Sequence, residues 1–422
     1  MATTKTDIWV YAHWKGMDAP RCIGVISAQQ SNGHRIFGFD YDRNWLKSDQ
    51  LFLLDPEIGL YSGTQYPDKK DNFGIFMDSM PDTWGRKLML RRAAQTAFAR
   101  GDSTPKLYEI DFLLGVHDAS RMGALRFKLD PNGPFLDDNK NNPTPPITHL
   151  RELQASVKAY EEDEEGKNGS DWIPMLFAPG SSLGGARPKA NVVDLGGHLC
   201  IAKFPSKTDV NDKAAWEYLA YELATRAGIN MPVCSLEKVK GPYHTFLSRR
   251  FDRDAGERIH FASAMTMTKN SEDSIRDATP SYLEIADFIQ RYGSKIEEDL
   301  HQLWRRIVFN IAISNTDDHL RNHGFLLMEN GWRLSPAYDI NPSIDKNGLA
   351  LNIDMDNNAL DFDLALNVGE LFQLKENQMH QIIKEVSIAV KEWRMIASKL
   401  GIPRGEQEEM SPAFGIINGL SR

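Results

Sequence analysis

The sequence predicts an α+β protein of two or three domains, and three observations carry that prediction. Residues 8–40 read as antiparallel strands, residues 253–422 are mostly helical with a β-hairpin set among them, and 422 residues exceed what one compact core accommodates. Hydrophobic residues make up 41% and charged residues 25%, which excludes collagen-like, disordered and disulfide-scaffold classes. With 49 Lys and Arg against 58 Asp and Glu, the net charge of -9 argues against an autonomous nucleic-acid binder. Cys22, Cys200 and Cys234 show no CxxC spacing and leave one thiol unpaired in any disulfide scheme, so a reducing compartment and no structural zinc are expected. The start, MATTKTDIWV, lacks the apolar run of a signal peptide, and no run of 18 apolar residues occurs. The expectation is a soluble, cytoplasmic protein with no membrane contact.

In chain order, residues 8–14, 22–27 and 35–40 read as strands, with Asn32-Gly33 as a hairpin turn. Residues 78–100 turn helical through Leu88, Leu90, Ala94 and Phe98, and a strand over 124–129 closes a β-rich N-terminal domain, 1–129. Residues 130–149, with Pro131, Pro134, Pro143, Pro145 and Pro146, read as a Pro/Asn-rich linker. A helix starting near Ile147 runs into the acid run from Glu161 to Glu165, read as a solvated face. A small-residue loop, 178–185, precedes strands over 190–194 and 198–204, and a helix over 214–227 ends at Gly228. Residues 150–252 are the predicted smaller lobe and 253–422 the helical lobe, closing on one long amphipathic helix over 376–400.

The chemistry concentrates in residues 299–339. Leu300, Leu303, Trp304, Ile307, Val308, Ile311 and Ala312 mark a packed helix. Apolarity then stops at Asn315-Thr316-Asp317-Asp318-His319-Leu320-Arg321-Asn322-His323, followed by a strand, a turn at Glu329-Asn330-Gly331, a return strand, and Ser335-Pro336-Ala337-Tyr338-Asp339. Phosphoryl transfer uses parts in this order. An Asp takes the proton of the attacking hydroxyl, while an Asn five positions on and a second Asp beyond a hairpin hold Mg²⁺ on the phosphates. Asp317, Asn322 and Asp339 occupy those places. Upstream, Lys203 lies in the apolar strand LCIAKF, and Glu217 on the next helix is its candidate partner. The glycine-rich loop offers backbone N–H groups to phosphate, although Gly180-x4-Gly185 has Ala186 where a Walker lysine would stand. His319 and His323 share i, i+4 spacing but lack a third ligand, so no histidine metal site is expected. The joint order predicts a two-lobed, protein kinase-like fold with an added N-terminal domain.

These motifs resemble the HipA-type serine/threonine kinases, the toxins of HipBA toxin–antitoxin modules, over nearly the whole chain. WVYAHWKG with IGVIS, FMDSMPDTWGRKLMLRR, GSSLGGARPKA, IAKFP, RRFDR, SNTDDHLRNHGFL and LSPAYDI carry the resemblance. It implies ATP and Mg²⁺ as cofactors, Asp317 as the catalytic aspartate, Asn322 and Asp339 as metal ligands, and Lys203 as the phosphate lysine. It further places Ser182, Gly184, Gly185, Lys189, Glu217, Arg249, Phe251 and His319 around ATP, with the backbone of Arg249 to Phe251 meeting adenine. Ser182 aligns with the serine whose autophosphorylation inactivates such kinases, and Ser181 offers a second hydroxyl. Two departures stand out: Arg187-Pro188 replaces a Gln-Glu pair after the loop, and Arg249 replaces an acidic hinge residue. The implied partners are a HipB-like DNA-binding antitoxin, operator DNA only through that antitoxin, and a translation component of the aminoacyl-tRNA synthetase class as substrate. The alternatives are a catalytically weak subunit that docks an antitoxin, and a small-molecule kinase. The basic helix bearing Arg86, Lys87, Arg91 and Arg92 is read as a solvated face, with DNA or antitoxin contact as the alternative.

Overall fold

Period-two burial makes the first sheet. Ile8, Val10 and Ala12 are all fully buried on one face of β1 (Lys5–Ala12), as a half-buried strand requires. The computed structural model describes residues 5–31, 34–48, 52–68, 70–137, 144–163, 176 and 185–421. The Asn32-Gly33 turn, Glu164, Glu165, Pro143 and most of the glycine-rich loop lie outside these. β1 pairs antiparallel with β2 (Arg21–Ser31), and β2 pairs with β3 (His34–Tyr41). The sheet order is completed on the other side of β1 by β4 (Leu125–Lys128), giving β3-β2-β1-β4. Phe39, Phe76 and Phe127 fill its buried face, with Phe39 and Phe76 ring centroids 5.3 Å apart.

By its contacts the chain divides into two units. The first comprises residues 1–208 and 252–262, the second residues 209–251 and 263–422.

In the first unit the predicted helix over 78–100 begins later. A short turn, Gly74–Met77, comes first, and α1 spans Thr83–Arg100. Pro81 disfavours helical backbone before it, and Asp82 caps the helix by accepting from the Thr83 N–H. Gly101, at φ 74°, ends it in the left-handed conformation that suits glycine. α2 (Leu150–Glu162) buries Leu150, Leu153 and Val157. The acid run at its end is more than a solvated face: Glu161 accepts from Ser206 Oγ at 2.6 Å and from the Lys207 N–H at 2.7 Å. The hairpin of β5 (Lys189–Val193) and β6 (Leu199–Lys203) follows, its turn held by Asp194 Oδ1 on the N–H groups of Gly196 and His198, both at 2.8 Å. Arg121 is fully buried and donates to the carbonyls of Ser79, Leu113, Val116 and Leu136. Burial pulls its pKa down to about 10.

The second unit is mostly helical. α3 (Lys213–Arg226) is capped by Asp212 and ends at Gly228, φ 76°. β7 (Cys234–Glu237) and β8 (Thr245–Arg249) form an antiparallel pair. α4 (Tyr282–Tyr292) opens with a Ser281/Glu284 capping box. α5 (Ile296–Ala312) packs its apolar stripe inward, and Trp304 Nε1 donates to the Ala365 carbonyl at 3.0 Å. The hairpin of β9 (Gly324–Met328) and β10 (Gly331–Leu334) is where the sequence predicts it. Asp299 on α5 fixes it, accepting from Arg333 Nε at 2.9 Å and from the Leu334 N–H at 2.9 Å. After α6 (Phe362–Val368), the single helix expected over 376–400 is two, α7 (Glu376–Lys391) and α8 (Trp393–Lys399). At the break the Glu392 N–H reaches the Ala389 carbonyl three residues back, and Trp393 stacks on Phe414 with centroids 4.3 Å apart. Periodicity continues across this break because both helices bury the same kind of face. Among the described residues no helix is long and apolar enough to cross a membrane.

Candidate active site

The site grows from the end of α5. Ile311, Ala312 and Ile313 are fully buried, and Ser314 then turns the chain at φ 52°, anchored by Ser314 Oγ donating to the Ala413 carbonyl at 2.9 Å. A rigid helix thereby delivers a polar loop. The next residues divide the work. Asp317 points out, its side chain 80% exposed and 3.8 Å from Lys346 Nζ. Asp318 points in, buried to 3%.

Asn322 closes the loop on itself. Its Nδ2 donates to the Asp317 carbonyl at 3.1 Å, and its backbone N–H donates to the His319 carbonyl at 2.8 Å. The amide N–H is thus used on the loop, which turns the amide oxygen away from it. Tyr338 Oη donates to the Arg321 carbonyl at 2.8 Å, joining the residue before Asp339 to the residue before Asn322. Asp339 itself is exposed and holds φ 59°, a strained conformation for a non-glycine residue. Arg306, buried on α5, donates to the Ser335 carbonyl at 2.5 Å and ties the same segment to the helix. The structure therefore brings Asp317 and Asn322 together and links Asp339 to them one residue away. Phe251 also joins this group: its ring lies 5.5 Å from that of Tyr338, tilted by 36°. Arg249 ends β8, its N–H donating to the Val233 carbonyl at 2.8 Å. Glu217 is buried on α3. His319 is half-buried.

The first unit holds the other predicted residues. Lys189 and Lys203 are direct partners in the β5–β6 register, so they share one face of the hairpin. Gly185 adopts φ 78°, and a Cβ there would lie 2.6 Å from Lys189 Nζ. Its N–H donates to Asp82 Oδ2 at 2.6 Å and its carbonyl accepts from the Trp84 N–H at 3.0 Å, so the end of the glycine-rich loop sits on the cap of α1. Ser181, Ser182 and Gly184 lie outside the described residues.

Among the described residues no three His, Cys, Asp or Glu side chains converge as a metal cluster. The amide oxygen of Asn322 and the carboxylate of Asp339 fit a different demand, that of a hard cation that takes its remaining ligands from water and phosphate.

The sequence reading did not single out Asp318, Tyr282 or Asn310 and weighed His323 only as a metal ligand; the four form a buried network beneath the loop. Asp318 accepts from Tyr282 Oη at 2.5 Å, Asn310 Nδ2 at 2.7 Å and His323 Nε2 at 2.8 Å. Burial alone would raise its pKa, but the charge and hydrogen bonds of its partners, His323 foremost, hold it below the usual carboxylate range. Burial and then Asp318 push the Tyr282 hydroxyl well up. The one available signal was the doubled acid Asp317-Asp318 after an apolar helix, where two carboxylates cannot both face solvent and core. The basic helix is also partly used internally. Arg86 makes a bidentate pair with Glu109, both bonds 2.7 Å, and Arg91 donates to the Asp163 carbonyl and lies over Tyr160.

The fold has counterparts among known proteins. A solved complex of HipA, HipB and operator DNA from a Shewanella oneidensis toxin–antitoxin system matches 97% of this chain and 95% of that one. The TM-score is 0.62 at 16% identity, a likeness that shows a shared HipA-type α+β fold. The model of the HipA-like C-terminal domain matches residues 181–393, and the chain belongs to that family. A Haemophilus influenzae protein provisionally named a kinase is 25% identical over 225 residues, 49% of this chain and 60% of that protein. Kinase Y4mE of Sinorhizobium fredii, named with the same reserve, is 25% identical over 183 residues, 38% of this chain and 41% of that one. The chain thus spans 60% and 41% of the lengths of these relatives.

Proposed function

We propose that the chain is a Mg-ATP-dependent serine/threonine protein kinase that acts as the toxin of a toxin–antitoxin module. The observation that carries this reading is the bond from Asn322 Nδ2 to the Asp317 carbonyl, joined through Tyr338 and Arg321 to the segment bearing Asp339. Asp317, exposed and free to meet an acceptor, takes the proton of the Ser or Thr hydroxyl as its oxygen attacks the γ-phosphorus and the bond to ADP breaks. Asn322 and Asp339 would hold Mg²⁺, which neutralises charge on the phosphates when bound. Lys203 and Lys189 balance phosphate charge from the β5–β6 hairpin, with Glu217 as the candidate partner of Lys203. Gly184 offers its backbone N–H to phosphate, while Gly185, whose N–H is held by Asp82 Oδ2, anchors the end of that loop. Arg249, Phe251 and His319 complete the nucleotide surroundings, Phe251 by the ring it sets against Tyr338.

Self-phosphorylation at Ser182, or at Ser181, would switch the kinase off by adding about -1.5 to -2 charge to the glycine-rich loop. The HipB-bearing Shewanella oneidensis complex supports a HipB-like antitoxin as partner, with operator DNA reached through it. An aminoacyl-tRNA synthetase is the substrate class that this reading implies. The test is transfer of labelled γ-phosphate from Mg-ATP to proteins of a cell extract, with peptide mapping of the chain itself. Asp317→Asn is expected to lower transfer on the order of 10²- to 10⁴-fold. Equal transfer by that variant, or growth arrest equal to wild type on expression, would overturn the proposal.

A further inference from the structure

Nothing in the phosphotransfer reading uses Asp318, yet its side chain is held from three sides. Its carboxylate is buried and takes three hydrogen bonds from three separate elements: Tyr282 at the start of α4, Asn310 near the end of α5, and His323 at the entry to β9. The network continues. Asn310 Oδ1 accepts from Asn315 Nδ2 at 3.0 Å, and Asn315 Oδ1 faces the Asn341 N–H at 3.4 Å, two residues beyond Asp339. Tyr282 and His323 meet edge to face with centroids 5.7 Å apart, closing the pocket around the carboxylate.

A buried, ionised carboxylate is costly in proportion to how poorly it is bonded, so three donors converging on the single oxygen Oδ2 define one geometry sharply. Asp317 has no such constraint of its own, being exposed and 3.8 Å from a half-exposed lysine. Its direction is inherited from its neighbour. Asp318 is fixed inward while the adjacent Asp317 side chain faces outward, and the Asp317 carbonyl is presented to Asn322 Nδ2.

We propose that Asp318 is the positioning residue of the catalytic loop, orienting Asp317 through its bonds to Tyr282, Asn310 and His323. The inference rests on the phosphotransfer reading. It assigns Asp318 no contact with nucleotide or acceptor, so its loss should disturb the chemical step and not ATP capture.

The experiment compares full-length wild type, Asp318→Asn and Tyr282→Phe. It follows labelled phosphate transfer from Mg-ATP to extract proteins over a range of ATP concentrations, and binding of a fluorescent ATP analogue. Asp318→Asn is expected to lower kcat on the order of a hundredfold, the size of effect that a misplaced catalytic group produces, with KM for ATP and analogue binding within about twofold. Tyr282→Phe removes one donor of three and keeps the ring, so it is expected to fold even where Asp318→Asn does not, and to lower kcat about tenfold with the same unchanged KM. An unchanged kcat in Tyr282→Phe beside an active wild type overturns the inference and leaves the kinase reading standing. So does a rise in KM that accounts for the whole loss. An inactive wild type overturns the kinase reading, and the inference falls with it.

Discussion

Asp339 and the opposed lysines show how single residues carry constraints that a generic side chain would not accept. Asp339 sits at φ 59°, where Asn is also tolerated but a β-branched residue is not. Asp339→Asn should therefore leave the melting temperature unchanged while abolishing Mg²⁺-dependent transfer, whereas Asp339→Val should also destabilise by about 1–3 kcal/mol. Thermal unfolding beside the transfer assay separates the two. Lys203 faces Lys189 across the hairpin, and its proposed phosphate role has a direct thermal test. Lys203→Met should erase the rise in melting temperature that Mg-ATP produces in the wild type, and a shift of undiminished size would count against a phosphate role. Spacing alone singled out Asp317, Asn322 and Asp339, and the structure joins Asp317 to Asn322 directly and to the segment of Asp339 through Tyr338 and Arg321. Asp318 was not legible in the same way. Its meaning depends on Tyr282 and Asn310, which lie 36 and 8 residues away and reach it through helix packing that no local pattern encodes.

Elements with a strong period were readable, and their ends were readable where a residue with fixed backbone preferences sits. β9 and β10 fall where alternation and the Glu329-Asn330-Gly331 turn put them. The start of α1 moved because Pro81 and Asp82 override apolar spacing, and the break between α7 and α8 is invisible to spacing because Trp393 finds its partner in Phe414, far along the chain. Asp82 is the element-scale test. It caps α1 and accepts from the Gly185 N–H. Asp82→Ala should cost about 0.5–2 kcal/mol in urea unfolding of the full chain, and Asp82→Asn distinctly less. Equal losses in the two would show that the charge matters and not the cap.

At the scale of the whole molecule, two buried groups of the first unit pull its pH response in opposite directions. Burial raises Asp55 from 3.8 to about 6, against the hydrogen bonds it accepts from the Glu57 and Ile75 N–H groups. Its folded form holds a proton that the unfolded form has lost, so this contribution falls as pH rises from about 4 to about 6. His260, stacked on Trp14, is lowered by burial from 6.5 to about 3. Its contribution is present above 6.5 and is lost as pH falls toward 3. Each is on the order of a few kcal/mol at most, and between pH 4 and 6 they largely cancel. Asp55→Asn should unmask the histidine: wild-type stability should vary little over that window, while the variant loses stability on acidification. A variant with the wild-type slope would refute this assignment.

The first unit is also discontinuous, and that bears on how the chain is made. Its last portion, residues 252–262, supplies Asp252 to the Gly123 N–H at 2.8 Å, Arg253 to the Arg121 carbonyl at 2.7 Å, and His260 to Trp14. The ribosome must therefore release residues 209–251, which belong elsewhere, before the N-terminal unit can be finished. For that interval the nascent protein carries an incomplete first unit, and a fragment ending at residue 208 would remain in that unfinished state.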